Sequence, residues 1–148
     1  MIKAIIFDLD GTLVQTEILK AESYAQAIQN LTNGTVSQEM VLESFGKYVG
    51  LPRAGVISGL YEEFRNVLSE HLVGLDAESV KERVITSRLA IYHEMLNNKS
   101  LLSSHFCPYN LGLLHRAHQE RFRTVVATMS HRNEAEKVIE AMGILGFI

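Results

Sequence analysis

Four consecutive apolar residues, Ala4-Ile5-Ile6-Phe7, run straight into Asp8-Leu9-Asp10-Gly11-Thr12. This junction constrains the chain more than any other stretch. A short apolar run that stops at a turn signal predicts a buried, parallel strand, because a strand with one wet face would alternate. In open α/β sheets, ligands collect at the carboxyl ends of such strands, where Asp8 and Asp10 stand. Side chains two apart on a strand point the same way, so both carboxylates are expected on one side. At about 6 Å they would repel by roughly 3 kcal/mol with an effective dielectric of about 20. A chain tolerates that where a cation lies between them, or where one holds a proton. An aspartate-rich strand-to-loop turn without chemistry is the other reading of the same residues.

Downstream the apolar period becomes helical. Residues 17–31 predict a helix with Tyr24, Ala27, Ile28 and Leu31 on one face, broken at Thr32-Asn33-Gly34-Thr35. Ser37 can cap a second helix whose stripe is Met40, Val41, Ser44, Phe45 and Tyr48. Gly50 suits a helix end, and Pro52 suits the first turn of a third helix carrying Val56, Ile57, Leu60, Phe64, Val67 and Leu68. Asp76 can cap a fourth, with Val80, Val84, Ile85, Leu89, Tyr92 and Leu96 inward. No strand interrupts them, so residues 15–98 are expected to be an all-helical insertion. The α/β pattern resumes after Pro108. A short helix (Leu111, Leu114, Ala117) leads to a second buried strand, Thr124-Val125-Val126-Ala127. A helix with Ala135, Val138, Ile139 and Met142 follows and closes at Gly143. The expected fold class is α/β, with residues 1–14 and 99–148 forming a core. Two strands are few against the usual five or six, so the sheet is expected to be incomplete.

Net charge is −3, with acids and bases interspersed, which gives no nucleic-acid or membrane-surface signature. No run of 18 apolar residues and no signal peptide is visible. The single Cys107 excludes an internal disulfide and suits a reducing, cytoplasmic setting. His115 and His118 are three apart on a helix, yet no third ligand is suitably spaced, so they read as a solvated face. Thr128-Met129-Ser130 joins the second strand to a helix. Unpaired amides and the positive dipole end make that junction fit for an anion; Ser130 can equally be a plain helix cap. His131 and Arg132 follow, as substrate contacts or as a polar first turn. Arg53 can reach an anionic substrate or merely solvent. Gln15, Thr16 and Glu17 can shape a site entrance or only begin a helix.

Asp8-x-Asp10-Gly11-Thr12-Leu13 resembles the first motif of the haloacid dehalogenase superfamily, and Val125-Val126-Ala127-Thr128-Met129-Ser130 looks like its second. A helical segment between them is similar to the C1-type caps of its phosphatases and β-phosphoglucomutase-like members. Val49-Gly50-Leu51-Pro52-Arg53 resembles a cap turn, and Cys107-Pro108-Tyr109-Asn110 falls where the family returns to its core. The resemblance implies a Rossmann-like core with an inserted helical cap. It implies that Asp8 attacks phosphorus and forms an aspartyl-phosphate, while Asp10 protonates the leaving oxygen and then activates water. Mg²⁺ would bind the Asp8 carboxylate and the Asp10 main-chain carbonyl. Gly11, Thr12, Thr128, Met129 and Ser130 would hold phosphate. A carboxylate at Asp10 favours phosphate-ester hydrolysis or phosphomutase chemistry over dehalogenation. The implied partner is a small phosphorylated metabolite such as a sugar phosphate, phosphoglycolate or a nucleotide.

The family's third motif, with its Lys, and its acidic fourth motif have no counterpart up to Ile148. The expectation is a piece of a longer enzyme. Beside it stand a shortened inactive relative that binds phosphate or a protein, and a core completed by self-association.

Overall fold

The two apolar runs pair as parallel strands in the computed structural model, which describes residues 2–148. The chain forms β1 (Ala4–Asp8), α1 (Thr16–Leu31), α2 (Gln38–Phe45), α3 (Arg53–His71) and α4 (Ala77–Asn97). It continues with α5 (Lys99–Ser104), α6 (Pro108–Gln119), β2 (Arg123–Ala127) and α7 (Arg132–Met142). Contacts divide the chain into two compact units, Met1–Glu17 with His93–Ile148, and Ile18–Tyr92. Among the described residues no helix is long and apolar enough to cross a membrane.

The first unit is mixed α/β, with a two-stranded parallel sheet in a Rossmann-like arrangement. Its register runs from Ala4 opposite Arg123 to Asp8 opposite Ala127. Both strands therefore end at the same level, and the loops that follow them emerge side by side. The expectation of fully buried strands is corrected. Ala4, Ile6 and Asp8 share a face with Arg123, Val125 and Ala127, and that face meets solvent. Ile6 is 69% and Val125 41% exposed. A continuous apolar run is needed only where both faces of a sheet are covered, and here one face is not. The unit's core is built instead from Leu9, Leu13, Val14, Leu102, Leu114, Val138 and Ile144. α5 is an element the periodicity misses, because six residues are too few to show a stripe; Asn98 caps it by accepting from the Leu101 amide at 3.1 Å. His115 and His118 pack their rings on Phe147, with centroids 4.9 and 4.7 Å away.

In the second unit Tyr24, Ile28, Val41, Phe45, Ile57, Leu60 and Val84 form one apolar cluster. Burying each such side chain contributes about 1.5–3 kcal/mol. Ser37 caps α2 by accepting from the Met40 amide, and Asp76 accepts from the Ser79 amide at 2.8 Å. Two details depart from the expected pattern. Met40 is 48% exposed, since the eight-residue α2 buries only the side carrying Val41, Ser44 and Phe45. Pro52 occupies the N-cap, with extended ψ of 154°, rather than the first turn of α3. The core-facing row of α4 also contains Arg88, only 3% exposed. Its guanidinium lies 4.7 Å from the Tyr24 ring and 4.8 Å from the Tyr92 ring, and its Nε donates to Ser23 Oγ. Desolvated contacts of this kind are each worth about 2 kcal/mol.

Candidate active site

β1 stops at Asp8 because Leu9 turns into the core. Leu9 is 1% exposed, and its carbonyl accepts from the amides of Thr12, Leu13 and Val14 at 3.3, 2.9 and 3.2 Å. Gly11 takes φ +77°, a left-handed conformation that disfavours any side chain, and its amide donates to Val14 O at 2.7 Å. Leu13 and Val14, both fully buried, anchor the loop from below. Asp10 consequently lies in this turn rather than on the strand. The same-face expectation drawn from strand alternation does not apply to it.

The two carboxylates are held in different ways. Asp8 is exposed, and its Oδ2 accepts from Thr12 Oγ1 at 2.9 Å. Asp10 is partly buried. Its Oδ2 accepts from Thr128 Oγ1 and Ser130 Oγ, each at 2.8 Å, and its Oδ1 accepts from Thr16 Oγ1. Three hydroxyls from two separate segments thus converge on one acid. The in-register sheet makes this possible by setting Asp8 opposite Ala127, so that residues 128–130 leave β2 beside the loop of residues 9–15. Thr128 Oγ1 also accepts from the Ser130 amide at 3.0 Å, which tightens the turn.

The structure brings Thr128 and Ser130 to Asp10, and Thr12 to Asp8, over separations of up to 120 residues. Ser130 is not a plain helix cap. The N-cap of α7 is His131, at φ −60° and ψ 141°, and it makes no side-chain capping bond. The first-turn amides of α7 therefore keep their attraction for an anion. Met129 is fully exposed, so its backbone, not its side chain, is what can serve the site. An open cleft of about 500 Å³ includes Thr128, Ser130, Arg132 and Glu136 in its lining. Arg132 is exposed and donates through Nε to Glu136 Oε1 at 2.7 Å, a pairing that raises its pKa further. Arg53 opens α3 in the other unit.

Thr16 is the site residue that sequence patterning leaves ambiguous. It is 1% exposed and donates its hydroxyl to Asp10. Only the position, six residues past Asp10 at the head of α1, hints at it. Among the described residues no group of three or more His, Cys, Asp or Glu side chains could enclose a metal. The donors present are an exposed carboxylate, Asp8, and main-chain oxygen in the following turn. That set suits Mg²⁺, which keeps several waters and binds through one or two carboxylates plus substrate phosphate. It does not suit a metal that needs an all-protein cage.

A family model described as haloacid dehalogenase-like hydrolase matches residues 2–148. No curated protein matches the chain significantly.

Proposed function

Because the chain belongs to the haloacid dehalogenase-like hydrolases, we propose that it hydrolyses a small phosphorylated metabolite, with Asp8 as nucleophile and Asp10 as general acid and base. The observation that carries this reading is the division of labour between the acids. Asp8 is exposed and steadied through one oxygen by Thr12, which leaves Oδ1 to attack phosphorus. Asp10 sits among three hydroxyls that fix its orientation. When the phosphoryl group arrives, Thr128 turns its hydroxyl to a phosphoryl oxygen, and Asp10 Oδ2 gives up the Thr128 donor. That oxygen then faces the leaving group, and Asp10, which enters the cycle protonated, delivers its proton there. The bond from phosphorus to the leaving oxygen breaks as the Asp8 acyl-phosphate forms. Asp10 next takes a proton from water, whose oxygen attacks phosphorus and restores the Asp8 carboxylate. The α7 amides and the Thr128 hydroxyl hold the phosphoryl oxygens, while Ser130 goes on donating to Asp10. Mg²⁺, held by the Asp8 carboxylate and the Asp10 main-chain carbonyl, would neutralise charge on the group being transferred.

A phosphomutase shares the first half of this sequence, with a second substrate hydroxyl replacing water. The test is hydrolysis of an aryl phosphate with and without Mg²⁺, beside the Asp8→Asn variant. Mg²⁺-dependent turnover that vanishes in the variant is the expected result. Undiminished turnover in Asp8→Asn would remove Asp8 from its role. Binding of inorganic phosphate without turnover would instead favour a phosphate-binding protein.

A further inference from the structure

The loop bearing both aspartates is gripped from outside by the segment leading into α6. Gln15 N donates to His105 O at 2.8 Å, Cys107 N donates to Leu13 O at 2.9 Å, and Val14 bridges to Phe106 in antiparallel fashion. These are backbone contacts, open to almost any residue. The grip on Thr12 is different. Asn110 Nδ2 donates to Thr12 O at 2.7 Å across 98 positions in the chain. A carbonyl oxygen can only accept, so the Asn110 amide must present its NH₂ group there. Thr12 is therefore held at its carbonyl by Asn110 and holds Asp8 through its hydroxyl.

We propose that Asn110 is a positioning residue for Asp8, acting through Thr12. Resting on the reading of Asp8 as nucleophile, the proposal adds what keeps that nucleophile aimed. Thr12 stands in a turn whose neighbour, Gly11, is the most conformationally free residue of the loop. Without a donor on its carbonyl, the Thr12–Leu13 peptide rests on the Leu13 N–H bond to Leu9 O, and the hydroxyl that fixes Asp8 Oδ2 is held less firmly. The nearby Gln15 amide does not replace this contact, since it reaches Gly11 O only at 3.5 Å and otherwise meets Cys107 Sγ. Displacing a reacting atom by about 1 Å can cost about 10²-fold in rate.

The test compares the full chain with Asn110→Asp and Asn110→Ala. The Asp variant keeps the shape but turns an acceptor toward the Thr12 carbonyl. It falls in the first turn of α6, where an acid suits the helix dipole, so folding is preserved. On an aryl phosphate, kcat is expected to fall about 10-fold or more in Asn110→Asp and less in Asn110→Ala, with KM within about twofold. A space-filling role would give the reverse order, with the truncation worse than the isostere. Amide hydrogen exchange supplies a readout independent of turnover. Residues 9–15 exchange faster in Asn110→Asp, while α7 does not. Unchanged kcat in Asn110→Asp, the reversed order of variants, or unchanged exchange in residues 9–15 overturns the proposal. If the wild-type chain turns nothing over, the phosphatase reading fails and exchange alone decides: faster exchange in the loop upholds Asn110, and no change rejects it.

Discussion

Thr16 shows how much a single hydroxyl decides at this site. It is buried, it heads α1, and it donates to the Asp10 oxygen that Thr128 and Ser130 do not use. Valine has nearly the same shape, so Thr16→Val removes the donor and little else. Asp10 then loses the Thr16 restraint and, in the proposed mechanism, delivers its proton less reliably. An alkyl phosphate, whose leaving oxygen needs that proton, should lose about 10-fold in kcat, and an aryl phosphate distinctly less. Steady-state rates on the two esters check this; equal losses would mean that Thr16 serves something other than proton transfer. Arg88 makes the complementary point in the helical unit. Apolar spacing places Val80, Val84 and Tyr92 on the inner row of α4 but gives no reason to expect a cation among them. Two tyrosine faces and the Ser23 hydroxyl make burial of that cation tolerable.

The helical unit's elements are joined by a polar latch as well as by its apolar cluster. Glu63 on α3 accepts from Ser44 Oγ at 2.5 Å, Tyr48 Oη at 2.6 Å and Lys47 Nζ at 3.0 Å. Ser44 lies at the end of α2, and the other two belong to the short 3₁₀ turn Gly46–Tyr48 that follows it. Gly59, one turn earlier on α3, admits the Tyr48 ring; a Cβ there would lie 2.2 Å from a ring carbon. Hydrogen bonds from Ser44, Tyr48 and Lys47, in that order of effect, lower the Glu63 pKa from 4.5 to about 2. The same carboxylate raises the Tyr48 pKa by keeping its hydroxyl protonated. A pKa lowered by folding stabilises the folded state above the unfolded value. That contribution fades as pH falls from 4.5 toward about 2. The Tm difference between wild type and Glu63→Gln should therefore be widest near neutral pH and close through this window. A difference that stays constant down to about pH 2 would show that the carboxylate's charge is not what the latch uses.

For the molecule as a whole, a parallel sheet with one half-buried face and one exposed face stands out. Ile6, on the wet face, is 69% exposed, whereas Leu13, three residues beyond Asp10, is fully buried. Ile6→Ser should change the urea midpoint by no more than about 0.5 kcal/mol equivalent, while Leu13→Ala should cost about 2–5 kcal/mol. Chemical unfolding checks both. A large cost for Ile6→Ser, accompanied by a smaller sedimenting species, would mean that the face is covered in solution by another copy. That is the self-association expected of an incomplete core.

The sequence by itself determined the order of the elements other than α5, the caps at Ser37 and Asp76, the stop at Gly143, and the two strand-to-loop junctions that carry the carboxylates and hydroxyls. Those are local matters, set by period, turn chemistry and the placement of carboxylates and hydroxyls a few residues apart. It also singled out Asp8, Asp10, Thr128 and Ser130. What it left undecided was who holds whom. That Asp10 is bound by Thr16, Thr128 and Ser130, that Thr12 answers to Asn110, that Arg88 is buried between tyrosines, and that Ile6 is wet were decided by the parallel register and by helix packing. A hydrogen bond between residues about a hundred positions apart leaves no periodic trace in either segment. It exists only once the strand ends are brought level, and then it sets which hydroxyls hold Asp10.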